Sequence, residues 1–480
     1  MKSETALAGI DIGTSGVKVV LLTPEGRLLA SAGSEYPLHT PQSQWAEQNP
    51  DDWLAGALNG LRAVLAQSGI RPGDIAAVGM TGQMHSLVCL GADSRPLRPA
   101  IIWADRRSAE QVARAQAEIG SRLGAWAGNP VATGFMLTSW AWLRQHEPLV
   151  AGATRTLLLP KDEVRFRLTG LLASEPSDAS ATLLFDVSRR DWSVPLLAWA
   201  GLQRDQLPPL LESAQAAGTL LPEMAAACGL LAGTPVICGA SDQAAQAVWQ
   251  GVIAPGTASV TVGTGGQIFA PLSTPVPDPQ LRLHLFCHAL PNRWHLEAAM
   301  LSAGLALRWF RDRFAPGSSY AELADAAAQV AAAGEGLFFL PYLSGERTPH
   351  MDSGARAGFT GLGLEHTRAH LVRAVMEGVV FALKQGLDRM EAITGRLETL
   401  VVSGGAVRHP LWLRLLADIL DRRLLVPAVE EATAGGAALL AGVGAGLFPD
   451  LPRALAARRL PPAREIRPDP DAAARYRPAY

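Results

Sequence analysis

The chain has 480 residues, 48% of them apolar and 18% charged, with a formal net charge of −2. That length exceeds one ordinary core and predicts two or three domains, and the balance excludes a disordered chain. Both signs of charge are mixed along the chain without a basic patch interleaved with aromatics, so nucleic acid is not an expected partner.

Cys89, Cys228, Cys238 and Cys287 are scattered with no CxxC pair. They predict reduced core thiols of a cytoplasmic protein, not a zinc site or a disulfide frame. The first residues carry no basic-then-apolar leader, and no apolar run reaches ~18 residues, so no membrane span is expected. Lysine is scarce: Lys2, Lys18, Lys161 and Lys384 are the only four, which marks each position.

In chain order, residues 7–12 form an apolar strand, Asp11-Ile12-Gly13-Thr14-Ser15-Gly16 a turn, and residues 17–22 a second strand. Glycines at 13 and 16 let backbone N–H groups approach a ligand, and Asp11 brings a carboxylate where a phosphate-bound Mg2+ could be held. Lys18 follows on the second strand. An ordinary hairpin would look the same. Residues 51–67 have helical spacing, and residues 75–80 read as a buried strand that delivers Gln83, Met84 and His85 to its carboxyl end. His85 reads equally as a core histidine or a ligand contact. Residues 99–103 are a short strand ending at Trp103, followed by Ala104-Asp105-Arg106-Arg107. Trp103 fits a buried position or a sugar's carbon chain.

Residues 160–169 predict a helix capped by Gly170. Residues 174–186, small and polar, predict a surface loop over the cleft. The apolar run 235–238 ends in Gly239, and Asp242-Gln243 opens the next helix. Asp242 reads either as an N-cap or as a base held by free N–H groups and the helix dipole, ionised at pH 7. Residues 259–269 repeat the first design, a strand, Gly263-Thr264-Gly265 and a strand, 250 positions after Gly13-Thr14. The repeat predicts two halves of like topology, each offering one hairpin to a shared ligand. Gly304 starts a helix that carries Arg308. Residues 370–390 form a long amphipathic helix. Residues 400–403, then Gly404-Gly405, then a helix after His409 make either a tight turn or a slot for a flat ring. The alanine-glycine helix 432–445 should pack close to a neighbour, and the tail from 461 reads as peripheral.

The segment Ala357-Gly358-Phe359-Thr360-Gly361-Leu362, then seven residues, then His370 to Glu377, fits the second signature of the carbohydrate kinases named for a Phe-Gly-Gly-Tyr motif. Gly82-Gln83-Met84-His85, Pro160-Lys161-Asp162, Phe286-Cys287-His288-Ala289 and residues 340–350 strengthen the resemblance, which covers roughly residues 8–447. The chain is therefore identified as resembling that family. The resemblance implies an α/β fold of two actin-like, ribonuclease H-like domains with a ligand cleft between them, here 1–245 and 246–480. It implies ATP and Mg2+, a small sugar substrate, and a possible homodimer in the cytoplasm.

Carried over residue by residue, the resemblance makes Asp242 the base and Asp11 the second catalytic carboxylate and metal contact. Gln83, Met84, His85, Trp103, Asp105 and Gln243 fall to the sugar. Thr14, Lys18, Gly263, Thr264, Gly304, Arg308, Gly405 and His409 fall to the nucleotide. Gln243, Ala104 and Ser139 stand where relatives of the nearest type usually have Asn, Asn and Lys. Three readings stay open: a ketopentose kinase, a kinase for another sugar or polyol, and a non-catalytic sensor.

Overall fold

A computed structural model describes residues 4–333, 336–428 and 432–480. It divides into two compact units. Unit 1 comprises Met1–Gly251, Phe286–Trp294 and Glu431–Leu460, and unit 2 comprises Val252–Leu285, His295–Glu430 and Pro461–Tyr480. Each is built on a seven-stranded sheet. The fold is α/β, as the sequence predicts.

In unit 1, β1 (Ala6–Ile12), β2 (Gly16–Leu22) and β3 (Leu28–Glu35) form an antiparallel meander. On the other side of β1, β4 (Ile75–Gly82) runs parallel to it, followed by β6 (Pro235–Ile237) and the edge strand β5 (Ala216–Thr219). A two-residue strand, β7 (Ala240–Ser241), also pairs with the end of β4.

The period of two in β1 splits its side chains between two covers. Ala8, Ile10 and Ile12 share a core with Trp53, Leu61 and Val64 of α1 (Pro50–Ser68). Asn49 accepts the Asp51 N–H at the start of that helix, and Gly69 closes it in the left-handed region. Each fully buried large side chain on this face stabilises the unit by about 2 kcal/mol. The opposite face of β1 meets α8 (Ala432–Gly444), whose alanines and glycines allow backbone-to-backbone approach. A Cβ on Gly436 would lie 1.8 Å from the Ala245 carbonyl of α4 (Asp242–Gln250). The close packing expected of this helix is thus present, against elements roughly two hundred to more than four hundred residues away in sequence.

Unit 2 repeats the plan. β8 (Thr257–Val262) pairs antiparallel with β9 (Gly266–Leu272) and parallel with β12 (Thr399–Ser403). β13 (Arg423–Val426) and the edge strand β14 (Arg464–Ile466) extend that side, while β11 (Trp294–Met300) and β10 (His284–Cys287) extend the other. α6 (Arg368–Thr394) buries Val375, Val379, Leu383 and Leu387.

Two expectations are corrected. Residues 174–185 are no surface loop: all are buried, in the short helix α3 (Pro176–Ala179), a 3-10 turn and the start of the next strand. Glu175 accepts from Ser177, Asp178 and Ser213, and Glu175 and Asp178 face the buried Lys161 ammonium. The tail after 461 is not peripheral either. It supplies β14 and α9 (Pro470–Tyr476), and the Tyr476 hydroxyl donates to Glu377 at 2.6 Å while accepting from Arg373. Tyr476 is 3% exposed.

Candidate active site

Strand register brings Asp11 and Asp242 to one edge of unit 1. Asp11 on β1 and Ala240 on β7 are both partners of Thr81, from opposite sides of β4. Two strand spacings separate those backbones, about 10 Å. This is the carboxyl end of the parallel strands, where α/β sheets bind ligands. Gly239, at φ 87°, makes the bend between β6 and β7; a Cβ there would meet the Met80 carbonyl at 1.8 Å. Ser241 is the N-cap of α4, so Asp242 is its first residue rather than its cap. The Asp242 Oδ1 accepts the Gln243 N–H at 2.6 Å, and both side chains are half-buried.

The turn between β1 and β2 is held by side chains. Gly13 N–H closes it onto the Gly16 carbonyl at 3.1 Å. Gln48 Nε2 donates to the Thr14 carbonyl at 2.7 Å, Gln83 Nε2 donates to Gln48 Oε1 at 2.8 Å, and Trp103 Nε1 donates to the Thr14 hydroxyl at 2.8 Å. The Tyr36 hydroxyl donates to the Gly13 carbonyl. Burial and the nearby Asp11 charge both push the Tyr36 phenol up, so it stays a neutral donor. Lys18 lies opposite Asp11 on β2 and is exposed. Gln48 and Tyr36 were not foreseen. Polar residues well beyond the turn carry no local signal that they will brace it.

Met84 is 5% exposed, and His85 follows at φ 71°. The His85 Nδ1 lies 2.7 Å from the Ala181 carbonyl, and its ring packs 4.1 Å from Phe135. A carbonyl only accepts, so Nδ1 carries the hydrogen and Nε2 is the acceptor of the neutral ring. Trp103 is 37% exposed. Asp105 is 1% exposed, and its carboxylate accepts from the Ala46 N–H at 2.7 Å and from Arg107. The structure therefore gives Asp105 a bracing position, beside the turn that carries Trp103.

In unit 2 the matching turn is held by backbone. Gly263 N–H donates to Gly265 at 3.0 Å. The first turn of α5 (Gly304–Phe314) docks on the hairpin: Gly304 N–H reaches the Gly263 carbonyl at 2.8 Å, and Ala303 and Leu305 N–H both reach the Thr264 carbonyl at 3.0 Å. Gly404, at φ 89°, sits where a Cβ would lie 2.5 Å from the Val262 carbonyl. A Cβ on Gly405 would meet nothing within 4 Å. Arg308 lies one turn along α5 and is exposed. His409 caps α7 (Pro410–Leu420), accepting the Leu411 N–H at 3.1 Å, and its Nε2 is 3.3 Å from Asp325. Gly263, Thr264, Gly304, Gly404 and Gly405 are thus gathered into one open, backbone-lined surface. Beneath it Glu346 accepts the Leu301 N–H at 2.9 Å, and burial pushes its carboxyl up to about 7 against that bond.

Among the described residues no group of three or more His, Cys, Asp or Glu could cage a metal. Asp11 beside a glycine turn fits a different mode, in which one carboxylate meets Mg2+ whose remaining ligands are phosphate oxygens and water. The bare surface over Gly405 fits a planar ring. Among the described residues no helix is long and apolar enough to cross a membrane.

Two family profiles match: FGGY family of carbohydrate kinases, N-terminal domain, over residues 6–248, and C-terminal domain, over residues 258–445. The chain is 37% identical over 443 residues to the xylulose kinase of Bacillus subtilis (strain 168), covering 92% of this chain and 89% of the relative. It is 39% identical over 453 residues to the xylulose kinase of Escherichia coli (strain K12), covering 92% of each. The crystal structure of ligand-bound xylulose kinase from Lactobacillus acidophilus superposes with a TM-score of 0.94 at 25% identity, over 99% of this chain and 96% of that one.

Proposed function

The chain belongs to the FGGY family of carbohydrate kinases, and from that premise we propose that it transfers the γ-phosphoryl group of ATP to D-xylulose, giving D-xylulose 5-phosphate and ADP. The observation that carries the reading is the strand register that puts Asp242, at the first residue of α4, on the same edge as Asp11 and the Gly13-Thr14 turn. Xylulose kinases among the relatives, at 37% and 39% identity, support the choice of sugar.

Phosphoryl transfer needs an aligned hydroxyl and a neutralised phosphate rather than covalent help. In this reading Asp242 orients the C5 hydroxyl of the sugar. As the oxygen–phosphorus bond forms and the bond to the ADP oxygen breaks, its carboxylate takes the hydroxyl proton. His85, with Nε2 as acceptor, receives a hydrogen bond from a sugar hydroxyl, Met84 and Trp103 pack along the carbon chain, and Gln243 and Gln83 supply amide contacts. Gly263-Thr264 and Thr14 offer N–H and hydroxyl donors to phosphate, with Lys18 as a further positive charge. Gly304, Arg308, Gly405 and His409 line the nucleotide. Asp11 would meet Mg2+ bound with the nucleotide, and that ion would supply charge neutralisation. The four described cysteines are free and buried, which supports a reducing, cytoplasmic setting.

ADP release across a panel of ketoses, polyols and sugar acids tests the reading. D-xylulose should give the highest kcat/KM, at least about tenfold above the others, the net worth of a single hydrogen bond at about 1.4 kcal/mol. A higher value for another acceptor overturns the choice of sugar, and no sugar-dependent ADP from any of them overturns the kinase.

A further inference from the structure

Under the edge that carries Asp242 lies a cluster of charges with no exposure. Lys161, at the start of α2 (Pro160–Thr169), puts its Nζ 2.8 Å from Asp162, 3.1 Å from Asp178 and 3.3 Å from Glu175. Arg165 donates to Asp162 at 2.7 Å and to the Cys238 carbonyl at 2.9 Å. Ser174 and Ser213 donate to the remaining oxygens of Asp162 and Glu175. Lys161, Asp162, Arg165, Glu175 and Asp178 are all 0% exposed. Burial alone would discharge Lys161, but Asp162, Asp178 and Glu175 more than offset it and hold it charged, while burial pushes the Asp178 carboxyl itself up to about 8. Such a cluster is weak evidence for stability, since apolar side chains of the same volume would do as well or better. What it does is fix geometry.

The fixed segment is 174–182, and three of its groups reach outward. The Ser177 hydroxyl donates to Glu175 at 2.9 Å and accepts the Ser241 N–H at 3.0 Å, one residue before Asp242. The Ala181 carbonyl accepts from His85 at 2.7 Å. Ser180 accepts the Cys287 N–H at 3.0 Å. We propose that residues 174–182 form an internal strut that sets the spacing between Asp242 and His85, with Ser177 as a positioning residue for Asp242 and the Lys161 cluster as its anchor. The inference rests on the kinase reading for its functional consequence. The chain of contacts from Lys161 through Glu175 and Ser177 to Ser241 stands without it.

Ser177→Ala tests the strut and leaves Glu175 its bonds from the Ser177 and Asp178 N–H groups and from Ser213. Two readouts are taken on folded protein: steady-state kinetics with D-xylulose and MgATP, and amide hydrogen exchange across residues 238–243. The strut predicts a kcat lowered about tenfold to a hundredfold, as for misplacement of a reacting group by about an ångström. It also predicts a KM for MgATP within about twofold and exchange faster at 238–243 than in β1 or α1. An unchanged kcat per folded molecule, or unchanged exchange at 238–243, overturns it. Asp242→Asn in parallel separates the two layers. If that variant keeps wild-type turnover, the base assignment fails, while faster exchange in Ser177→Ala still establishes the Ser177–Ser241 link.

Discussion

The two glycine turns share a strand plan and are held in opposite ways. In unit 1 the turn at Gly13-Thr14 is braced by side chains arriving from three other places: Gln48, Gln83 and Trp103, with Tyr36 from just past the end of β3. In unit 2 the turn at Gly263-Thr264 is braced by the main chain of residues 303–305 and by the bare approach of Gly404. Both turns are proposed to meet phosphate, but the one in unit 1 is braced by Gln83 and Trp103, which are also proposed to meet the sugar. A sugar is recognised hydroxyl by hydroxyl and needs specific side chains, whereas a nucleotide's phosphates and ring can be met by N–H groups and empty space. Repeated topology thus carries two kinds of site.

Breaking the backbone brace should have the largest effect. Gly304→Ala places a Cβ 2.4 Å from the Gly263 carbonyl, so the helix start must move, and kcat/KM for MgATP should fall about a hundredfold. The apparent KM for D-xylulose should stay within about threefold, and titration of each substrate at saturating partner checks this. Breaking the side-chain brace should be milder and fall on the other substrate. Gln83→Ala leaves the buried Gln48 amide and the Thr14 hydroxyl short of partners. It should cost about 1–3 kcal/mol of stability, measured by denaturant titration, and about tenfold in kcat/KM for the sugar.

Much of this contrast was legible in the sequence. The strand–turn–strand repeat 250 residues apart, the helix that starts at Asp242 and the alanine-glycine helix all follow from local pattern and are present. Residues 174–186 misled because Glu175, Ser177, Asp178 and Ser180 have the composition of a solvated loop. The cation that Glu175 and Asp178 face, Lys161, sits on a preceding helix, and pairing across space has no periodicity. The scarcity of lysine was the available signal, since Lys161 is one of four. Tyr476 was hidden in the same way, because its partners Arg373 and Glu377 are about a hundred residues earlier. Nor could a helical pattern reveal that α8 returns to the sheet of unit 1.

Two smaller effects sharpen the comparison. Gly405→Ala adds a methyl group to open space, so stability should hold while the KM for ATP rises roughly tenfold, the low end of what one methylene changes in a pocket. An unchanged KM would move the ring elsewhere. The second is a pH effect confined to unit 2. Burial pushes Glu297 up to about 7, with Arg347 opposing, and the residue is 7% exposed. In the unfolded chain it ionises near its ordinary value, so between that value and about 7 the folded state holds the extra proton. Stability therefore falls as pH rises through this window and stays lower above it. Glu297→Gln should raise Tm by a few degrees at pH 8, corresponding to about 1–3 kcal/mol, and leave it nearly unchanged at pH 4.

The assignment of chemistry to unit 1 turns on a single side chain. Single-turnover transfer from MgATP to D-xylulose, compared between the wild-type protein and Asp242→Asn with sugar affinity measured alongside by calorimetry, addresses it directly. The account predicts a rate lower by about 10³-fold with the dissociation constant for the sugar within about threefold. Turnover near the wild-type rate would contradict it.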